Sequence, residues 1–208
     1  MFNFNAAIIG FDRALKLATG VTSVSRQNPA RNVGSDTLST EERRHSAGLM
    51  RVNHVGEICA QALYQAQSRI AHSPAIGQQF IEAGRQEQDH LGWTAERLTE
   101  LGARPSLFNP LWYVAAYGLG TVAGRLGDAV SLGFVVETER QVEAHLASHL
   151  ERLPLADVKS RAIVEQIRQD EAAHGAHAKS LGAAEVPFPV KTAMRAMSKV
   201  MTSVAYYV

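Results

Sequence analysis

The chain has 208 residues, of which 46% are hydrophobic, which is enough for one well-buried domain. Its formal net charge of +1 argues against a nucleic-acid partner. Because Cys59 is the only cysteine, a disulfide within the chain is excluded, and we expect a cytosolic face with this thiol as a small core residue.

The first 38 residues are expected to stand apart from the rest of the chain. Residues 1–20 carry apolar side chains at helical spacing and predict a short amphipathic helix, without the basic start and unbroken apolar core of a signal peptide. Residues 21–38, rich in Ser, Thr, Asn and Gly, predict a linker. Residues 39–208 are then expected to form one helical domain.

Capping and breaking residues predict the helices of that domain. Ser39 and Glu42 form a capping box that opens a helix running to about residue 72. Pro74 suits the first turn of a second helix, which Gly102 ends. Further helices are expected at about 127–152, 155–181 and 191–206, with a loop at 186–189 before the last of them. Almost no strand signal remains, so the sequence predicts an all-α fold.

The stretch 107–124 between the second and third of these bundle helices is unlike a plain soluble bundle. It carries no charge, includes Trp112, Tyr113 and Tyr117, and is interrupted by Pro110 and three glycines. It is marginal for a membrane-spanning helix, which needs about 20 predominantly apolar residues. We therefore predict an interfacial helix lying in a membrane surface. The alternative is a crossover helix buried on the bundle or in a dimer interface.

Two Glu-x-x-His pairs lie in the second and fourth bundle helices, and each follows a lone glutamate by about thirty residues. The residues are Glu87 with His90, Glu171 with His174, and the lone Glu57 and Glu139. Side chains at i and i+3 share one helix face, so each pair can offer a carboxylate and an imidazole to one ion. A third match, Glu42-x-x-His45, lies at a helix start among charged residues, and we interpret it as a solvated turn.

Three of the four glutamates occupy core-facing positions. Glu87, Glu139 and Glu171 replace apolar residues within stripes that advance by three and four, whereas Glu57 lies beside its stripe. A buried carboxylate must be protonated, ion-paired or bound to a cation. The arginines of these helices fall mostly off the stripes; they are Arg85, Arg97, Arg140 and Arg168. Metal ions are therefore the favoured explanation.

The offsets from lone glutamate to pair are 30 and 32 residues, which predicts two similar helical hairpins around a pseudo-twofold axis. Such a bundle holds two metal ions between four helices, with Glu87 and Glu171 suited to bridging and Glu57 and Glu139 to terminal positions. A carboxylate-rich donor set suits iron or manganese better than zinc or copper.

Four motifs carry a family resemblance. RVNHVGE at 51–57, EQDHL at 87–91, VETERQVEAH at 136–145 and DEAAH at 170–174 stand in the order and at the spacing of the demethoxyubiquinone hydroxylase family of ubiquinone biosynthesis, in its bacterial form. The resemblance covers residues 40–182. At the positions that match the family's iron ligands the chain has Glu57, Glu87, His90, Glu139, Glu171 and His174.

The resemblance implies a ferritin-like four-helix bundle with two iron ions, held by those six catalytic residues. It implies a monooxygenase that hydroxylates a polyprenylated demethoxyubiquinol with O₂ and an external reductant, late in ubiquinone biosynthesis. It also implies peripheral attachment to the cytoplasmic side of the cell inner membrane, with other ubiquinone-biosynthesis proteins as possible partners.

Three further residues are candidates for supporting roles. Asp170, next to Glu171, could accept a hydrogen bond from the free N–H of a ligand histidine, or could be a surface aspartate. His145 matches a family histidine and could line the substrate or proton path. His54, one turn before Glu57, could do similar work.

Alternatives from other functional classes share parts of this pattern. A ferritin-like iron-oxidising and storage protein would use the same six ligands, but should lack the uncharged aromatic stretch. A manganese protein that destroys peroxide would also use them. A non-enzymatic helical adaptor at the membrane would keep the amphipathic helices, but has no reason to place glutamates on core-facing positions.

Overall fold

The computed structural model describes residues 24–208, so the amphipathic helix predicted at 1–20 lies outside the described residues. Within this range the chain forms six α-helices and no strand, which confirms the all-α prediction. The helices are α1 (Thr40–Ile70), α2 (Pro74–Glu100), α3 (Asn109–Arg125), α4 (Asp128–Arg152), α5 (Val158–Ser180) and α6 (Phe188–Ala205), preceded by a 3₁₀ turn (Pro29–Asn32).

The helices form a ferritin-like bundle of two hairpins. Helix α1 packs along α2, and α4 packs along α5, while α3 lies against the outer side of α1. Apolar residues of both hairpins meet in one core cluster, in which Leu49, Trp93 and Ile163 are almost completely buried. Because each bundle helix turns an apolar stripe to this core, any polar residue on the stripe is buried with it.

Local sequence sets most helix ends where they were predicted. The Ser39 amide donates to the Glu42 carboxylate (2.9 Å), and the Glu42 amide donates to the Ser39 hydroxyl (3.2 Å), which confirms the capping box. Helix α5 begins at Val158 rather than at 155, because the carboxylate of Asp157 accepts from the Ser160 amide (2.9 Å) and caps the helix there.

The last helix also begins at a different residue. The loop predicted at 186–189 is too long, since α6 begins at Phe188 and includes the following proline in its first turn. A proline is tolerated there because the first amides of a helix have no partner within the helix.

One of the arginines that were expected to fall mostly off the core-facing stripes is nevertheless buried. Arg97 is buried, and its guanidinium donates to Asp36 (2.5 Å), Asp157 (2.8 Å) and the Ser160 hydroxyl (2.9 Å). Two of these partners come from loops rather than helices, so the helical pattern gave no sign of them. The cluster ties the segment before α1 to the start of α5.

Helix α3 has one buried and one exposed face. A Cβ atom at Gly120 would lie 2.8 Å from the carbonyl oxygen of Leu63, so only glycine allows α3 to approach α1 this closely. The opposite face exposes large apolar side chains, among them Leu111 and Val114. Of the helices within residues 24–208, none has the length and apolar content needed to cross a membrane.

Helix α6 returns across the bundle and contacts α1 and α4. The connection that precedes it is fixed by a hydrogen bond from the Ala184 amide to the Ala129 carbonyl (2.8 Å). A Cβ atom at Gly133 would collide with the carbonyl oxygen of Ala184, so the chain passes here against bare glycine backbone. This close passage holds the backbone of Ala184 against α4 shortly before α6 begins.

Candidate metal centre

Each of the four bundle helices contributes one buried glutamate to the middle of the fold. They are Glu57 on α1, Glu87 on α2, Glu139 on α4 and Glu171 on α5. The imidazole of His90 is fully buried, and that of His174 is nearly so. The structure therefore brings together all six residues singled out in the sequence, including Glu57, whose position on its helix was the least clear.

The six side chains fall into two overlapping groups of potential metal ligands. One group is Glu57, Glu87, His90 and Glu171, and the other is Glu87, Glu139, Glu171 and His174. Within each group the ligand atoms lie within 4.8 Å of one another. Two carboxylates belong to both groups, those of Glu87 and Glu171. That is the placement expected of ligands that bridge two ions, while Glu57 and Glu139 each reach one group only.

Both histidines turn the Nδ1 atom towards the carboxylates. Nδ1 of His90 lies 3.1 Å from Oε2 of Glu87 and 3.5 Å from oxygens of Glu57 and Glu171. Nδ1 of His174 lies 3.0 Å from Oε1 of Glu87 and 3.3 Å from Oε2 of Glu171. Each histidine can thus offer Nδ1 to an ion, which leaves Nε2 for another partner.

The Nε2 atoms are held across the bundle by residues of the opposite hairpin. Nε2 of His90 lies 2.8 Å from Oδ2 of Asp170, and Nε2 of His174 lies 2.8 Å from Oε1 of Gln86. Each partner immediately precedes the glutamate of the other Glu-x-x-His pair. Such contacts orient a metal-binding imidazole. Sequence reasoning missed Gln86, although it stands in the same place before Glu87 as Asp170 does before Glu171.

Without cations, the buried carboxylates of the cluster outnumber the imidazoles that could neutralise them. Burial raises the pKa of Glu57 and that of Glu139 well above the usual carboxyl range. Burial alone would lower the pKa of His174, but contacts with Glu171 and Glu87 raise it to about 11. The groups therefore hold protons that metal ions would displace, since ligands must be deprotonated to bind. This carboxylate and imidazole set fits two divalent ions such as iron or manganese.

Tyr64 fixes the orientation of one terminal carboxylate. Its buried hydroxyl donates to Oε1 of Glu139 at 2.5 Å. Burial and the nearby carboxylates raise the pKa of this phenol well above its usual value, so it stays a hydrogen-bond donor. The other oxygen of Glu139 remains available to a metal ion.

Two of the suggested supporting residues do not join either ligand group. Nδ1 of His54 lies 3.1 Å from the Thr94 hydroxyl, and burial lowers the pKa of this imidazole to about 4. His145 lies beside His149, with ring centroids 4.0 Å apart and the ring planes tilted by 59°, and burial lowers the pKa of His145 to about 4. Both are neutral imidazoles, and their suggested roles stay predictions.

An apolar cavity of about 570 Å³ leads to the ligand groups from the side where α3 and α6 lie. Glu57, Glu139 and Glu171 line its inner end. Its walls are mostly aliphatic, aromatic and methionine side chains, including Leu63, Trp112, Phe134, Met194 and Met201. A molecule in this cavity would thus contact the metal ligands at one end and apolar side chains elsewhere.

Comparison of the sequence with known proteins shows a match to one family. A family model described as "Ubiquinone biosynthesis protein COQ7" matches residues 44–205. A protein of Herminiimonas arsenicoxydans is 62% identical over 205 residues, which cover 99% of this chain and 97% of that protein. One of Janthinobacterium sp. (strain Marseille) is 65% identical over 197 residues, with 95% of each chain covered. Both relatives are named 3-demethoxyubiquinol 3-hydroxylase.

Proposed function

This chain belongs to the ubiquinone biosynthesis protein COQ7 family, and from that membership we infer that it is an oxidoreductase, a 3-demethoxyubiquinol 3-hydroxylase. The observation that carries the mechanism is the meeting of six buried ligand side chains with an apolar cavity. The substrate is a benzoquinol, and O₂ is the second substrate. This combination favours the hydroxylase over an iron-storage protein, a manganese peroxide-destroying protein or a non-enzymatic adaptor.

We propose that the ligand groups hold two iron ions. Glu87 and Glu171 would bridge the ions, Glu57 and His90 would complete one site, and Glu139 and His174 the other. When bound, the iron ions supply the electrons that activate O₂. In the overall reaction one oxygen atom replaces a ring hydrogen as a hydroxyl group and the other leaves as water, so an external reductant must supply two electrons and two protons.

The cavity explains how the quinol ring would reach the ligands. The ring would occupy the inner end beside Glu57, Glu139 and Glu171, while apolar side chains of α3, α4 and α6 exclude water from the reacting atoms. The polyprenyl tail would extend along the apolar walls towards the outside. Leaving that tail in water would cost about 0.8 kcal/mol for each CH₂ group, so substrate delivery from a bilayer is favoured.

Exposed apolar side chains on the cavity-lining helices support a peripheral membrane location. On α3 and its approach they are Leu107, Phe108, Leu111, Val114 and Val122, and on α6 they are Phe188, Met197 and Val200. We propose that these residues enter the surface of the cell inner membrane from the cytoplasmic side, as expected for the stretch 107–124. Other ubiquinone-biosynthesis proteins are proposed as partners at the same membrane.

Filling the cavity should stop quinol hydroxylation without removing the metal. Ala60 lines the cavity on α1, and Ala60→Trp would place an indole in the path of the ring. We expect iron-loaded protein to lose at least about tenfold in hydroxylation rate, about 1.4 kcal/mol in activation free energy. The measurement is product formation from a demethoxyubiquinol, together with the iron content of each protein.

The matched control for this substitution is Ile81→Trp. Ile81 is exposed on α2 and does not line the cavity, so an indole introduced there should leave the rate unchanged. An undiminished rate in Ala60→Trp would show that the quinol reaches the iron by another path. Absence of product from the iron-loaded wild type would overturn the proposed function.

A further inference from the structure

The segment 24–38, which we call the strap, lies across the outer side of α2 and α5 before α1 begins. Its first described residues bind an α2 carboxylate: the Ser25 amide donates to Oδ1 of Asp89 (2.5 Å), and the Ser25 hydroxyl donates to Oδ2 (2.9 Å). The Asn28 side chain donates to Glu96, also on α2 (2.7 Å). The strap lies outside residues 44–205, which the family model matches.

Arg26 of the strap joins the two hairpins from outside the bundle. Its Nε donates to Oδ2 of Asp89 on α2 (3.2 Å), and its Nη2 donates to Oδ2 of Asp170 on α5 (2.6 Å). The guanidinium also lies over the ring of Trp93, with Cζ 4.8 Å from the centroid. The planar fork of an arginine suits this task, because it can bind two carboxylates and an aromatic face at once.

The carboxylate that Arg26 holds is the one that orients a metal ligand. Oδ2 of Asp170 lies 2.8 Å from Nε2 of His90, and Nη2 of Arg26 lies 3.1 Å from the same nitrogen. Nη2 of Arg26 and Nε2 of His90 can thus both donate to the same oxygen, Oδ2 of Asp170. A neutral imidazole that donates from Nε2 has its lone pair on Nδ1, and Nδ1 is the atom that faces Glu57, Glu87 and Glu171.

The second histidine has a different partner at the same position. Nε2 of His174 meets the neutral amide of Gln86, whereas Nε2 of His90 meets an ionic pair. An anionic acceptor raises the basicity of the imidazole more than an amide does. The two metal positions therefore differ in what supports their histidines, which is an ionic pair behind His90 and a neutral amide behind His174.

We propose that Arg26 is a positioning residue that holds the Asp170 carboxylate against Nε2 of His90 and thereby strengthens metal binding at the position that His90 serves. The inference rests on the proposed function only in requiring that the six ligands bind iron. Because loss of a partner behind a metal ligand typically costs 10–100-fold in metal affinity, we expect an effect of roughly that size at one of the two ions.

The test measures Fe²⁺ affinity of the full chain under anaerobic conditions, by competition with a coloured chelator. Arg26→Gln should weaken one of two binding steps by about 10–100-fold and leave the other within about twofold. Arg26→Lys, which keeps the charge but can serve one carboxylate at a time, should restore part of the loss. Asn28→Ala loosens the strap without touching Asp170, so it should bind iron as the wild type does.

A double-mutant cycle separates positioning from a general loosening of the fold. If Arg26 acts through Asp170, Arg26→Gln should add little to the loss already caused by Asp170→Asn. Additive losses, equal losses in Asn28→Ala, or unchanged binding in Arg26→Gln would each overturn the inference. A wild type that binds no iron would instead overturn the proposed function. If Arg26→Gln does not fold, as judged by circular dichroism, the Fe²⁺ affinities of Arg26→Lys and Asn28→Ala are compared instead. Weaker binding at one step in Arg26→Lys alone supports the inference, and equal affinities overturn it.

Discussion

Glu87→Ala is expected to abolish hydroxylation and to leave the chain unable to hold two iron ions. Glu87 belongs to both ligand groups and is completely buried, so its removal takes a donor from each position at once. It also leaves both imidazoles without the carboxylate that lies 3.0–3.1 Å from their Nδ1 atoms. Since a metal ion contributes several kcal/mol to such a reaction, we expect the rate to fall by at least about a thousandfold.

Thermal unfolding with and without Fe²⁺ measures the same loss independently of activity. Each of the two iron ions, supplied at about 100 times its dissociation constant, should stabilise the wild type by about 2.7 kcal/mol, because iron binds the folded chain only. The same concentration of Fe²⁺ should stabilise the Glu87→Ala protein far less. Glu82→Ala is the matched control, since Glu82 is an exposed glutamate on the same helix. A Glu87→Ala protein with two bound iron ions and normal turnover would contradict the assignment of the site.

Gly133→Ala is expected to destabilise the fold and to displace α6 from the cavity. The added Cβ would collide with the carbonyl oxygen of Ala184, and the hydrogen bond from Ala184 to Ala129 holds that backbone in place. The colliding atom belongs to the backbone, so no side chain can rotate away. We expect a loss of about 1–3 kcal/mol in the free energy of unfolding, despite the better helix propensity of alanine.

Urea denaturation measures this stability, and hydroxylation reports the position of α6, because Met194, Met197 and Met201 of that helix line the cavity. We expect the rate to fall while iron binding persists, since the six ligands lie on the other helices. Gly118→Ala is the control, because a Cβ at Gly118 meets no heavy atom within 4 Å. That substitution should stabilise the protein by up to about 1 kcal/mol. A Gly133→Ala protein more stable than the wild type would refute the close passage.

Helical periodicity was sufficient to predict the burial of most ligands. Glu87, Glu139 and Glu171 each replace an apolar residue in a stripe that advances by three and four, and all three are buried. Glu57 lies beside its stripe, yet it is buried too, because α1 packs against α2 on one side and α3 on another. A single stripe cannot describe a helix that has neighbours on two faces.

Helical periodicity could not predict which distant segments contact each other. The sequence suggested correctly that Asp170 supports a ligand histidine, but it did not show that this is His90 of the opposite hairpin, and it gave no sign of Gln86 behind His174. Both contacts depend on how α2 and α5 face each other. Arg97 is buried because Asp36 and Asp157 reach it from loops. Arg26 lies in a stretch that predicts only a linker, and its partners are 63 and 144 residues away along the chain.

The origin of the oxygen atom in the product tests the central claim most directly. Iron-loaded wild-type protein should convert a demethoxyubiquinol under ¹⁸O₂, with a reductant present, to a hydroxylated quinol that carries one ¹⁸O atom on the ring. The label should be absent when ¹⁸O is supplied only as water, and no product should form with Glu87→Ala. Unlabelled hydroxylated product under ¹⁸O₂, or labelled product from Glu87→Ala, would contradict a hydroxylase built on these six residues.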